Sequence, residues 1–146
     1  MIIRKMQPED VKTIAELEKV CFSDPWSENS IASELNNRLS YWLVAEVDDK
    51  IAGYVGSQSV LDGADMMNLA VAPEYRRKGI GQALVTALTD YLQQNGIIAL
   101  LLEVRVSNDP AINLYRSLGF EPIGRRPNYY HHPREDALIM RKELTI

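Results

Sequence analysis

A chain of 146 residues, 46% hydrophobic and 25% charged, has the length of one ordinary domain and the usage of a folded globule, which excludes a disordered or low-complexity protein. The formal net charge of −4 argues against a direct nucleic-acid partner and favours a basic substrate. The lone Cys21 excludes an internal disulfide framework, and "IIRKM" follows Met1 with no apolar signal core or bilayer-length run, so a soluble cytoplasmic protein without a membrane partner is expected.

In chain order, "IIRKM" is short and partly alternating and reads as a strand. "QPEDVKTIAELEKVCF" reads as a helix, with Pro8 at its start and Val11, Ile14, Leu17, Val20 and Cys21 on one face. "DPWSENSIASELNN" restarts a helix with Ser27 as its cap and Asn36 and Asn37 at its end. A hairpin follows, made of "YWLVAEV", the polar turn "DDK" and "IAGYVGSQSV". "ADMMNLAV" is a further strand, stopped at Ala72-Pro73 because proline cannot extend the ladder. The next helix carries Ile80, Leu84, Ala87, Leu88, Tyr91 and Leu92 on one stripe and closes at Asn95-Gly96.

The nearly continuous apolar run "IIALLLEVRV" suggests a central strand covered on both faces. Strand, crossover helix and strand in that order predict a parallel pair with a right-handed connection. "DPAINLYRSLGF" is a short helix ending at Gly119, and "EPIGRR" and "EDALIMRKEL" are two last strands. The fold class is α/β, with a single mixed and mostly antiparallel sheet of about seven strands flanked by about four helices. No linker or internal repeat interrupts the chain, so one domain over residues 1–146 is expected.

The stretch "YRRKGIGQAL" carries the strongest chemical signal. A P-loop needs Gly-Lys-Ser/Thr, whereas Lys78 here precedes Gly79 and no Ser or Thr follows Gly81. A dinucleotide fingerprint needs a third glycine where Leu84 stands. What remains is Arg76-x-x-Gly79-x-Gly81 between a strand and a helix. Its free backbone N–H groups and the helix dipole suit a pyrophosphate, and the glycines let the backbone come close. The alternative is a solvated basic turn with a glycine cap.

"NLAVAPEYRRKGIGQAL" resembles the acyl-coenzyme-A signature of the GNAT N-acetyltransferase superfamily, and "LLLEVRVSNDPAINLYRSLGF" resembles the segment that follows it in that fold. "PWSE" and "RRPNYYHHPREDALIM" look like the subgroup that acetylates protein N-termini, with Pro127 and His131-His132 departing from its pattern. The resemblance covers essentially the whole chain. It implies acetyl-CoA as co-substrate, no metal, and transfer to the N-terminal alanine α-amine of the eighteenth small-subunit ribosomal protein. The partner is then an N-terminal ribosomal peptide, and the chain a monomer or weak dimer.

Residue by residue, the resemblance implies that Leu69, Ala70 and Val71 offer main-chain hydrogen bonds to the pantetheine arm and the acetyl oxygen. Arg76, Arg77, Lys78, Gly79, Ile80, Gly81 and Gln82 anchor the pyrophosphate, and Asn108 bonds the pantetheine arm, although Asn before Asp-Pro is also a routine helix cap. Glu103 is the one acid inside "LLLEVRV", on the same face as Leu101 and Arg105 by period-2 alternation. It matches the general base of the family, against an ion pair with Arg105 as the plain alternative. Tyr115 matches the general acid for the departing thiolate, against ordinary burial of an aromatic ring.

Trp26, Tyr129 and Tyr130 are candidate walls of a peptide cleft, or simply rim and core of their elements. An α-amine with pKa ~7.7–8.0 sheds its proton at pH 7 for about 1 kcal/mol, whereas lysine needs roughly 4.6 kcal/mol, so a modest base suffices for an N-terminus. A GNAT acting on lysine, polyamine or another small amine stays open, as does a non-catalytic acyl-CoA sensor. Adjacent His131 and His132 point oppositely on a strand and lack further ligands, and Cys21 reads as a buried small hydrophobe with no partner base.

Overall fold

Periodicity and stop signals turn into elements much as they read. The computed structural model describes residues 1–144, and the last two residues of the expected 1–146 domain lie outside the described residues. The strands are β1 (Ile2–Lys5), β2 (Ser40–Val47), β3 (Lys50–Val60), β4 (Gly63–Val71), β5 (Ala99–Arg105), β6 (Glu121–His131) and β7 (Arg134–Glu143). The helices are α1 (Val11–Cys21), α2 (Glu28–Glu34), α3 (Ile80–Gln94) and α4 (Asp109–Ser117), with 3-10 turns at Pro8–Asp10 and Pro73–Tyr75. All seven strands join one mixed sheet in the order β1-β2-β3-β4-β5-β7-β6. Among the described residues no helix is long and apolar enough to cross a membrane.

The chain divides into two compact units, one of Met1–Gln58 with Met67–Leu88, the other of Ser59–Met66 with Thr89–Ile146. In the first, β1, β2 and β3 run antiparallel in succession. Asp48 and Asp49 both take positive φ, 51° and 64°, as a two-residue hairpin turn requires. Lys50, expected in that turn, instead opens β3 opposite Val47. Ser27 caps α2 as expected, accepting the Ser30 amide at 3.1 Å.

The core of this unit gathers Ile14, Ile31, Trp42, Val44 and Tyr54. The face of α1 is rotated from the expected one: Val20 is 64% exposed and Glu18 is fully buried. At about 100° per residue, position 18 lies one turn from Ile14 while position 20 falls on the far side. Trp42 stacks on Tyr54 at 5.9 Å and meets Trp26 edge-on at 5.4 Å. The Trp42 indole lies across Gly56, where a Cβ would stand 2.3 Å from a ring carbon. Gly56→Ala is therefore expected to lose about 1–3 kcal/mol by overpacking. An unchanged urea midpoint would show that the ring moves aside freely.

In the second unit β4 begins parallel to β5, with Ala64 opposite Leu100 and Asp65 opposite Leu101, and β5 is antiparallel to β7 on its other side. The parallel pair is the one expected from the crossover. β5 is central, yet it is not covered on both faces. Leu100, Leu102 and Val104 are buried, while Leu101, Glu103 and Arg105 form a half-open face. Helix α3 stops at Asn95-Gly96: Gly96 has φ 81°, and the Ile97 amide reaches back to the Leu92 carbonyl at 3.0 Å.

The strand expected at "EPIGRR" continues as β6 through Tyr129 and Tyr130 to His131. Its register against β7 slips between Arg126 and Tyr130. Pro127 falls in that slip, where its missing N–H removes no ladder bond. Asn128, at φ 53°, gives its amide to Asp136 Oδ1 at 2.9 Å. The proline thus redirects the strand at the aromatic segment without breaking it.

Candidate active site

In the first unit the end of β4, Leu69–Val71, runs into Ala72-Pro73 and the 3-10 turn. Arg76 folds back on that strand, its Nε donating to the Val71 carbonyl at 3.0 Å and its Nη2 lying 3.5 Å from Cys21 Sγ. Cys21, expected as a buried small hydrophobe, is half-buried beside this cation. Arg77 at φ 64° and Gly79 at φ 79° both sit in the left-handed region. Such a turn aims successive backbone N–H groups inward.

The first helical bond of α3 runs from the Ala83 amide to Gly79 O at 3.0 Å, so the amides of Ile80, Gly81 and Gln82 precede it and have no intrahelical acceptor. Ile80, 4% exposed, pins this helix start into the core, while Arg77 and Lys78 stand in solvent. Lys78 Nζ lies 5.6 Å from the Tyr75 ring centre. A convergent set of amides at the positive end of a 15-residue helix, flanked by cations, fits a pyrophosphate.

Trp26 lies in the loop between α1 and α2, half-buried. Its amide donates to Glu18 Oε1 at 2.9 Å. Glu18 was missed in the sequence because an acid within an apolar stripe reads as an interruption. Its position one turn after Ile14 was the available signal.

In the second unit Glu103 projects from the half-open face of β5, its side chain 27% exposed, with Arg126 Nε at 3.5 Å. Burial pushes its carboxyl above the ordinary carboxylate range; Arg126 opposes the shift and Asp65 adds to it. The ion pair considered with Arg105 is made by Arg126 instead. Arg105 reaches Glu135 at 3.2 Å and the carbonyls of Pro133 and His132 at 2.8 and 3.3 Å, and it lies over the Tyr130 ring at 4.3 Å. It thereby braces the β6–β7 turn. Neither Arg126 nor Asp65 had a sequence signal linking it to Glu103.

Tyr115 on α4 is 7% exposed and packs edge-on against Phe120 at 5.6 Å. Burial, with the nearby Tyr130, raises its phenol above the ordinary value. Tyr129 and Tyr130 meet edge to face at 5.0 Å, the first 44% exposed and the second half-buried. Burial, then Tyr129 and Glu103, push Tyr130 up to about 12. Arg126 lies 5.8 Å from the Tyr129 ring centre. Asn108 caps α4, its Oδ1 accepting the Ala111 amide at 3.3 Å, which leaves its side-chain NH2 group for other partners.

Residues 11–120 match the family model described as the Acetyltransferase (GNAT) family. The [ribosomal protein bS18]-alanine N-acetyltransferase of Escherichia coli K12 is 40% identical over 146 residues, covering 99% of this chain and 98% of that one. The crystal structure of the ribosomal-protein-S18-alanine N-acetyltransferase from Escherichia coli superposes with a TM-score of 0.92 at 37% identity, over 99% of this chain and 94% of that one. The PaiA N-acetyltransferase of Thermoplasma acidophilum in complex with coenzyme A shares the fold, with a TM-score of 0.81 at 21% identity over 97% and 98% of the two chains.

Proposed function

The chain belongs to the GNAT acetyltransferase family, and on that premise we propose that it moves the acetyl group of acetyl-CoA to the N-terminal alanine α-amine of the eighteenth small-subunit ribosomal protein. It does so as a single domain over residues 1–146, in the cytoplasm. The observation that carries this reading is the 40% identity, end to end, with an enzyme named for that reaction.

Acetyl-CoA supplies the acetyl group as a thioester already activated for attack. The amides of Ile80, Gly81 and Gln82, with Arg77, Lys78 and Gly79, hold the pyrophosphate. Arg76 keeps the turn closed on β4, as its bond to Val71 suggests. The main chain of Leu69–Val71 and the side chain of Asn108 align the pantetheine arm. Glu103 takes the proton of the α-ammonium, directly or through water, so that a neutral nitrogen attacks. As the C–N bond forms and the C–S bond breaks, Tyr115 donates a hydrogen bond toward the departing sulfur, and the nitrogen's second proton passes through solvent to leave amide and thiol. The base has a smaller pKa gap to cross for an α-amine than for a lysine.

Trp26 in the first unit is one proposed contact for a short basic peptide; in the second unit Tyr129 and Tyr130 are others, and the acids Glu103 and Asp65 attract it. Raising salt from about 0.05 to 0.5 M is expected to raise the peptide KM severalfold, because exposed charges are screened beyond about a Debye length. A salt-independent KM would remove electrostatic capture. The deciding experiment offers acetyl-CoA with Ala-, Ser- and Met-starting peptides, free lysine and polyamines while thiol release is followed. Release with the Ala-starting ribosomal peptide is expected. Release only with polyamines overturns the reading, and coenzyme binding without any release makes the chain a sensor.

A further inference from the structure

Glu18 has no part in the chemistry above, yet it is 0% exposed in the core of the first unit. Its carboxylate accepts three hydrogen bonds from three other elements. The Trp26 amide of the loop after α1 donates to Oε1 at 2.9 Å, and the Asn68 side chain on β4 donates to Oε2 at 2.8 Å. The Tyr54 hydroxyl on β3 donates to the same Oε2.

All three donors are neutral, unlike the Arg4 guanidinium that meets the buried Asp10 at 2.7 Å. Burial accordingly raises the Glu18 pKa, with the three donors pulling the other way. A leucine here would join Ile14, Leu17 and Trp42 in the same core without desolvating a charge. What a leucine cannot do is accept a main-chain N–H from the loop. That loop, residues 22–27, lies outside helix and strand, and Pro25 has no amide to offer. The loop's first residue, Phe22, bonds back to the Glu18 carbonyl at 2.9 Å, and its Trp26 amide is held by the Glu18 carboxylate.

We propose that Glu18 is a positioning residue for the acceptor peptide. Its carboxylate holds the 22–27 loop, and with it the Trp26 ring, in a preformed wall. Its bond to β4 is to the Asn68 side chain, so the main chain of Leu69–Val71 does not depend on it and the effect of Glu18 falls on the loop. The inference rests on the reading of Trp26 as a peptide contact.

The test combines kinetics with amide exchange. Glu18→Ala is expected to raise the peptide KM about tenfold, the scale of a lost charge-assisted hydrogen bond, with the acetyl-CoA KM and kcat within about twofold. Glu18→Gln keeps an oxygen for the Trp26 amide and is expected to stay within about threefold of the wild type in peptide KM. In the wild-type protein the Trp26 amide should exchange slowly with solvent. An unprotected Trp26 amide, or a Glu18→Ala protein whose two KM values change together or not at all, overturns the proposal.

Should Glu18→Ala fail to fold, Glu18→Gln decides: Trp26 protection lost with the peptide KM unchanged also overturns it. A wild-type protein that acetylates no N-terminal peptide would sink the proposed function. The Trp26 exchange rate would still test the positioning role on its own.

Discussion

Glu103→Gln is expected to lower kcat by about two to four orders of magnitude, the usual range for removing a positioned general base. The side chain is nearly isosteric and half-open to solvent, so the fold and acetyl-CoA binding should survive. The pH dependence carries the sign. A base must be ionised, so wild-type kcat holds above the Glu103 pKa and falls as pH drops through it. That pKa lies above the ordinary carboxylate value because burial outweighs Arg126. In the glutamine variant only amine already deprotonated in solution reacts, and the acid limb moves to the alkaline side, toward ~7.7–8.0.

Stability runs the other way. A carboxyl whose folded pKa is raised binds its proton more tightly in the folded chain, so its contribution is present below the unfolded pKa and lost as pH rises through the folded one. At neutral pH, then, the variant should melt no lower than the wild type. A kcat unchanged at every pH sinks the base assignment, and a lower melting temperature would mean that the acid is there for the fold.

How much of this was legible depends on how local the determinants are. The stop of α3 at Asn95-Gly96 and the face of β5 shared by Leu101, Glu103 and Arg105 follow from neighbours a few residues away. Both could be read. The environment of Glu103 could not, because Arg126 belongs to β6, which joins β5 only through β7, and nothing near Glu103 in the sequence announces it. Glu18 is the same kind of case. Its burial depends on Tyr54 and Asn68, 36 and 50 residues further on, and no period in α1 announces them. The expectation that β5 is covered on both faces failed because an apolar run records average hydrophobicity. The two half-open residues that matter, Glu103 and Arg105, are the polar ones within it.

Tyr115→Phe is the second substitution with a large expected effect, a fall in kcat of about a hundredfold, the lower end for losing one preorganised donor. Its fold should persist, because the ring and its edge contact with Phe120 remain. The physical role is narrower than full acid catalysis. Burial lifts the phenol above its ordinary value, whereas a free thiol titrates at about 8.5, so complete proton transfer to a finished thiolate runs uphill. Donating a hydrogen bond to sulfur while charge is still developing does not. An acetyl thioester of a more acidic thiol needs less of that help. The Tyr115→Phe defect should therefore shrink with such a donor, while the Glu103→Gln defect, which concerns the amine, should not. Equal defects with both donors would assign Tyr115 to packing, and wild-type kcat in the phenylalanine variant would remove it from the mechanism.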